Sequence, residues 1–502
     1  MAANTTAVLP KDPSTASVTQ HDTDLTDDIK TDDTQSSDSE ILHETPWRSV
    51  ILMGVIAMCT SFQYSTYLSS MWPNLKKLDP SIDEAFFGIA ASCYPLGQII
   101  FSPVFGWWSN HLKNVKIPLI TAMAVECAGN VIYIFLQTAP STSKYLFGVG
   151  RFVCGIGTSN VGLMKAYAST ASTDNDRAAA IATVMGFFAI GLIVGPLVQL
   201  GLTPIGEEGL AIFPHFAINM YTLPAVVSCM VNILAMVLLI FIFREEYGGL
   251  AKSEKESDEE SKTLPDFDRI GFIVCFVANF AQMFMFGTIE TLSTPIAMTL
   301  FPLTRTEAVQ VVSVVHGIKS AFDLAMNGAF AIFNVGKWVN QRWACLVGFI
   351  GMGAFYVITF PYPFIPGNIA TYKKSEFTNS TLEPIGCDVE SLTWCEYTHP
   401  VNFWLYYISF VIFIGWSFSL VSIAMFTVFS QLIGPRRQST HHGFMQMIGS
   451  TGRMIGPSSI SYMYKNQGIY EAWALDTAVM FGTALLWALA FKRLRPLMDK
   501  IK

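Results

Sequence analysis

The chain has 502 residues, of which 51% are hydrophobic and 14% charged. Soluble chains carry about 25% charged residues, so a water-soluble protein of two or three domains is excluded, and the formal charge of −7 reflects mainly one end, where residues 1–46 hold ten acidic residues and two lysines. No GxxxxGK[ST], HExxH or GxSxG pattern occurs, so an ATP-driven pump is set aside and the expectation is a non-enzyme with no cofactor, no metal and no nucleic-acid partner.

In chain order, residues 1–46 are rich in Ser, Thr and Asp and carry too little apolar surface to fold alone. They lack the basic start, apolar core and cleavage site of a signal peptide. They are expected to form a disordered acidic cytoplasmic tail, with the first apolar run acting as an uncleaved signal. Twelve apolar runs follow, at roughly 49–71, 85–108, 117–137, 145–168, 179–200, 218–243, 270–292, 307–333, 343–361, 401–432, 443–462 and 471–491. Each is near the ~20 residues that cross a ~30 Å hydrocarbon core, and no periodic strands suggest a barrel. The expected fold class is an all-α membrane protein. Twelve transmembrane helices form two six-helix halves, 47–243 and 270–491, joined by a cytoplasmic linker at 244–269.

Orientation follows from Lys and Arg. With the N-terminus inside, the cytoplasmic loops, flanks and C-terminus hold 19 of them, including Lys165, Arg177 and the basic tail 492–502, against seven on the opposite face. Both termini are therefore expected in the cytoplasm. The loop at 362–400 then faces a lumen. It contains the glycosylation acceptor Asn379-Ser380-Thr381, with Cys387 and Cys395 just beyond, and an oxidising lumen would let these two cysteines form a disulfide. The other seven cysteines lie in apolar runs as small packing residues. Asn4-Thr5-Thr6 also fits the acceptor pattern, but on the cytoplasmic side it is expected to stay bare.

A repeat links the halves. Arg177 precedes Gly195-Pro196 by eighteen residues, and Arg437 precedes Gly456-Pro457 by nineteen, six segments apart. Such matched segments point to two halves related by an axis along the membrane normal, with a solute path between them.

Ionisable residues in these runs are costly in hydrocarbon and tend to face a cavity, a partner or water. They are Glu126, Arg151, Glu290, His316, Lys319, Asp323 and Arg453. At about 100° per residue, His316, Lys319 and Asp323 share a stripe about 60° wide. The reading is a proton-sensitive stripe lining the central path near Glu290; the alternative is a self-neutralised Lys319–Asp323 pair with a histidine packed beside it. Glu290 is expected either to carry a proton or to pair with Lys319. Arg151 and Arg453 either hold an anionic substrate group or, for Arg151, pair with Glu126. His441-His442 has no ligand partners at metal-binding spacing.

The chain resembles the major facilitator superfamily. Gly186-x8-Gly195-Pro196 looks like its antiporter-type motif, with Gln199 and Leu200 in place of the usual following glycines. Arg151-Phe-Val-Cys-Gly155-Ile-Gly157 is similar to the RxxxGxG stretch linked to proton coupling, and Gly106-Trp-Trp-Ser-Asn110 to the signature loop, with Asn110 and His111 standing for the expected Asp and Arg. MWPNLKKLDP, YPLGQIIFSPVFGWWSN, INMYTLPA, GRMIGP and GCDVESLTWC resemble the family of major facilitator superfamily domain-containing protein 8, lysosomal membrane proteins associated with neuronal ceroid lipofuscinosis. This implies a late endosomal or lysosomal address and the transport of an organic solute or anion. With the residue readings above, the expectation is a secondary transporter working by alternating access, proton-linked and for an anionic solute, whose partners are a small-molecule or ion substrate, the lipid bilayer and sorting adaptors. The string Asp38-Ser-Glu40-Ile41-Leu42 is the nearest to an acidic dileucine signal, one residue short. A chloride channel on the same scaffold, or a non-transporting receptor, are the alternatives.

Overall fold

The computed structural model describes residues 44–66, 70–79, 82, 84–138, 142–206, 208–213, 216–248, 266–373, 375 and 385–498. The acidic tail, the linker between 249 and 265, the dileucine-like string and Asn379 lie outside the described residues.

Six helical spans come before the linker. They are α1 (Trp47–Thr66), α3 (Glu84–Leu112), α4 (Lys116–Ile134), the stacked pair α5 (Ser143–Gly157) and α6 (Asn160–Ala171), α7 (Arg177–Leu202) and α8 (Leu223–Phe241). A short helix, α2 (Met71–Leu78), sits between the first two. Six spans follow it: α9 (Arg269–Leu300), α10 (Arg305–Ile332), α11 (Gln341–Ile358), α12 (Phe403–Ser409) running through a π-helical turn at Phe410–Ile414 into α13 (Gly415–Ile433), α14 (Ser439–Asn466) and α15 (Ile469–Leu489). Among the described residues, nine helices are long and apolar enough to cross a membrane by length and composition. The three remaining spans are α5–α6, α10 and α14, which carry Arg151, Lys165, the 316–323 stripe and Arg453. Their polar groups lower the average, and interior packing compensates.

Polar caps set several helix starts. Asp268 accepts from the backbone N–H groups of Ile270 and Gly271. Thr304 and Glu307 form a reciprocal capping box at α10, and Asn340 and Asn402 cap α11 and α12. Each satisfies N–H groups that the first turn leaves free. Two spans depart from the continuous helices expected of them. The fourth breaks at Thr158-Ser159, whose hydroxyls donate to the carbonyls of Cys154 and Gly155 and compete with the helical ladder. The tenth carries the π turn. Outside the spans, Leu210–Phe213 (β1) pairs antiparallel with Phe216–Ile218 (β2), and Thr371–Tyr372 (β3) pairs parallel with Cys387–Asp388 (β4). Cys387 and Cys395 are disulfide-bonded in this loop. Of the seven free cysteines, Cys59, Cys154, Cys275 and Cys345 are buried.

The repeat has a packing counterpart. A Cβ on Gly191 would lie 2.3 Å from the carbonyl oxygen of Met58, and one on Gly195 would lie 2.9 Å from the amide nitrogen of Thr66. In the other half a Cβ on Gly452 would lie 2.5 Å from the Phe280 carbonyl oxygen, and one on Gly456 would lie 2.6 Å from that of Phe284. Glycines therefore let α7 sit backbone-to-backbone on α1, and α14 on α9, at equivalent places in the two halves. In membranes such small residues are what allow helices to approach closely.

The halves meet most closely on the face that carries residues 248 and 266, the linker face. A Cβ on Gly106 would lie 2.5 Å from the Ser439 carbonyl oxygen, and one on Gly443 would lie 2.4 Å from that of Ser102. Ser109 Oγ and Ser439 Oγ are 3.2 Å apart, and Asn110 Nδ2 donates to Thr440 Oγ1 at 2.8 Å. On the other side of the seam, Asp176 before α7 pairs with Lys337 at 3.2 Å and accepts from Asn334 at 2.9 Å.

Candidate functional site

Above this seal, at mid-span, a cavity of about 530 Å³ lies between the two halves. α1, α3, α6, α7, α9, α10, α13 and α14 all contribute to its wall. Glu290, His316, Lys319, Asp323 and Arg453 line it, as do Pro196 and the cavity-facing Tyr64 and Lys165. Such sites are typically ~300–1,000 Å³, mostly apolar with a few convergent polar groups.

On α10, Lys319 and Asp323 form a salt bridge with side chains 12% and 10% exposed. Lys319 also lies over the Phe418 ring, 4.8 Å from its centroid. Asp323 accepts from Ser419 Oγ at 3.0 Å, and Asn327 Nδ2 donates to the same hydroxyl at 3.1 Å. One turn away, His316 Nε2 is 3.0 Å from Ser293 Oγ on α9, and its ring is 5.3 Å from Phe410 in the π turn. Both the stripe and its neighbour α9 thus face the central path.

Glu290 pairs differently from the sequence-based alternative. Its partner is Arg453 at 3.1 Å, from α14 in the same half, rather than Lys319. Arg453 also bonds the Tyr64 hydroxyl of α1 across the cavity and lies over the Tyr64 and Phe286 rings at 4.9 and 5.2 Å. A single guanidinium therefore spans both halves.

Arg151 and Glu126 do not line the cavity. The Arg151 guanidinium stacks on Tyr94 at 4.3 Å, with Tyr94 in the cavity wall and its ring 5.2 Å from Tyr64. Arg151 thus reaches the site through two tyrosine rings. Among the described residues, no ion pair joins Arg151 to Glu126, and the fully buried Glu126 carboxylate makes no hydrogen bond. The motif residues sit at helix contacts. Gly186 faces Asn327 across the halves, where a Cβ would lie 3.3 Å from that side chain, while Gly106 and Asn110 form part of the linker-face seal. Pro457 packs against Gly287. His442 is 1% exposed and stacks on Phe426; no group of metal-ligating side chains occurs among the described residues.

Two residues given to loop flanks by the charge count are interior. Arg177 is 3% exposed and pairs with Asp174 at 2.8 Å. Lys165 is 8% exposed at the cavity wall. Lys165 sits in the polar sixth helix (NVGLMKAYASTA), which is buried at every position; that uniform burial, invisible to a charge count, is what moves it inside.

The sequence profile of the Major Facilitator Superfamily matches residues 53–372. The chain belongs to the major facilitator superfamily. Over 477 residues it is 29% identical to major facilitator superfamily domain-containing protein 8 of Xenopus laevis, covering 90% of this chain and 92% of that one. The class D tetracycline resistance protein of Salmonella ordonez is 23% identical over 288 residues, 57% of this chain and 66% of that one. Two solved structures share the fold at 12% identity. The human organic anion transporter TETRAN has a TM-score of 0.60, covering 88% of this chain and 99% of that one. The Escherichia coli fucose:proton symporter FucP has a TM-score of 0.61, covering 89% and 98%. This superfamily member is a multi-pass membrane transporter, with a small-molecule substrate implied.

Proposed function

We propose that the chain is a proton-linked carrier of an anionic solute in the lysosomal or late endosomal membrane, working by alternating access. The observation that carries this is the mid-span cavity between the halves, where groups from both converge on the Arg453–Glu290 and Lys319–Asp323 pairs and His316. Rocking of two halves about such a fixed site is the general means of alternating access. Protonating Glu290 removes the charge that holds Arg453, freeing the guanidinium for an anionic group of the solute; deprotonation re-forms the pair and expels it. Asp323 and His316 are the further proton-carrying candidates. The linker-face seal supports a conformation open toward the loop at 362–400, which this reading places in the lumen, with Asn379 glycosylated and both termini cytoplasmic. The resemblance to a lysosomal family supports the address, and a structural neighbour described as an organic anion transporter supports the substrate charge.

Comparing the metabolites of lysosomes purified with and without the chain identifies the solute. Its uptake into proteoliposomes is then measured under imposed pH gradients. Glu290→Gln and Asp323→Asn are each expected to flatten the pH dependence; a wild-type profile in both variants overturns the proton linkage. Currents reversing at the chloride equilibrium potential, with no solute coupling, support a channel instead.

A further inference from the structure

Among the described residues three cations line the cavity, and two already have carboxylate partners: Arg453 with Glu290 and Lys319 with Asp323. The third is Lys165. It is more than nine-tenths buried. Among the described residues its ammonium makes no ion pair or hydrogen bond, and its neighbour is the Phe426 ring, 4.2 Å away. A cation–π contact supplies roughly 0.5–2 kcal/mol, less than the cost of taking an ammonium out of water. His442 stacks on the same ring and among the described residues has no carboxylate partner either. With His316 neutral, three cations face two carboxylates, so the described lining carries one positive charge in excess. Most of the remaining wall is apolar, including Met164, Met185, Phe188 and Phe286. At ~30 Å³ per water, a 530 Å³ cavity is far larger than a halide needs.

We propose that Lys165 is the fixed anchor for the solute's anionic group, and that the solute is an amphipathic organic monoanion whose apolar body lies against the methionine and phenylalanine wall. Its role in transport rests on the carrier reading above; the binding itself does not. Lys165 offers its charge whatever the state of Glu290, whereas Arg453 becomes available only when Glu290 is protonated. The anionic group is thus held at Lys165 in either state of the Arg453–Glu290 pair.

The test uses the purified full-length chain, with its thermal midpoint read by tryptophan fluorescence. The probes are 4-phenylbutyrate, its neutral amide and chloride. The carboxylate is expected to raise the midpoint saturably, while the amide and chloride leave it unchanged. Lys165→Met should weaken the apparent affinity by at least about tenfold, and Lys165→Arg should stay within about threefold. Because Lys165→Met removes an uncompensated buried charge, its midpoint without probe is expected to match or exceed the wild type, which separates lost binding from lost folding. Protection by the amide or by chloride, no protection by the carboxylate, or unchanged affinity in Lys165→Met overturns the proposal. Proteoliposomes holding a pH-sensitive dye keep the two readings apart. Lys165-dependent protection without phenylbutyrate-linked proton uptake overturns the carrier and leaves the site standing. Such uptake retained in Lys165→Met overturns the site and leaves the carrier standing.

Discussion

Lys319 and Asp323 meet four residues apart on α10, with little solvent around either side chain. Breaking a buried pair by removing one member costs about 3–5 kcal/mol, because the other charge is left uncompensated, whereas replacing both by apolar residues of similar volume is often neutral. Lys319→Met and Asp323→Leu are each expected to lower the thermal midpoint, and the double variant to regain most of the loss. Denaturation followed by tryptophan fluorescence checks this; a double variant no better than the worse single one sinks it. The same cycle separates the two readings of the stripe. A double variant that folds but carries no solute shows a working pair, and one that transports normally shows a structural one. The more open Arg453–Glu290 pair, 24% and 38% exposed, should contribute less to stability, since solvent screens it.

At the level of elements, the Gly-Pro repeat was legible but its purpose was not. Spacing shows that Gly195-Pro196 and Gly456-Pro457 recur; only the packing shows that each glycine faces the backbone of the first helix of its own half. Gly195→Ala puts a methyl group 2.1 Å from Ser65 Oγ, and Gly456→Ala puts one 2.6 Å from the Phe284 carbonyl oxygen. Overpacking of this kind costs typically 1–3 kcal/mol, so both variants should show reduced yield of folded protein by size-exclusion chromatography. Gly201→Ala, near the end of the same α7, meets nothing within 4 Å and should be neutral or stabilise by up to about 1 kcal/mol, as alanine does in a helix. Equal behaviour of Gly195→Ala and Gly201→Ala would refute the close-packing role. The break at Thr158-Ser159 was readable in kind, since Gly155, Gly157, Thr158 and Ser159 are poor helix formers and the two hydroxyls donate to backbone carbonyls, whereas the apolar π turn at Phe410–Ile414 carries no such signal.

Across the whole molecule, the count of spans, the two halves and the inward stripe at 316–323 were readable because burying charge in hydrocarbon leaves few arrangements open. Partner choice was not readable: Glu290 finds Arg453 on a helix some 160 residues away, and Lys165 looks like a loop flank until its helix is seen to be wholly buried. The seal on the linker face is the part of this architecture that a carrier must break in every cycle. Ser109 Oγ and Ser439 Oγ are 3.2 Å apart across it, near enough for a disulfide of ~2.05 Å after a small adjustment. With the seven free cysteines replaced by alanine, Ser109→Cys with Ser439→Cys should cross-link on oxidation and lose solute flux, with reductant restoring it. Asp176 sets how this seal responds to pH. Partial burial works to raise its pKa, but Lys337, Thr45 and Asn334 outweigh that and hold the carboxylate below its usual range. Its contribution is therefore full above the unfolded value of about 3.9 and lost only as pH falls through the lower folded value. The cross-linking rate, taken relative to that of a free dithiol oxidised under the same conditions so that thiol ionisation cancels, should then stay flat between about pH 7.5 and pH 5, while Asp176→Ala lowers it throughout by loosening the seam. A relative rate that falls steeply over that range would move the pH sensor from the cavity to the seal, and undiminished flux through the fully cross-linked protein would rule out a cycle in which α3 and α14 must part.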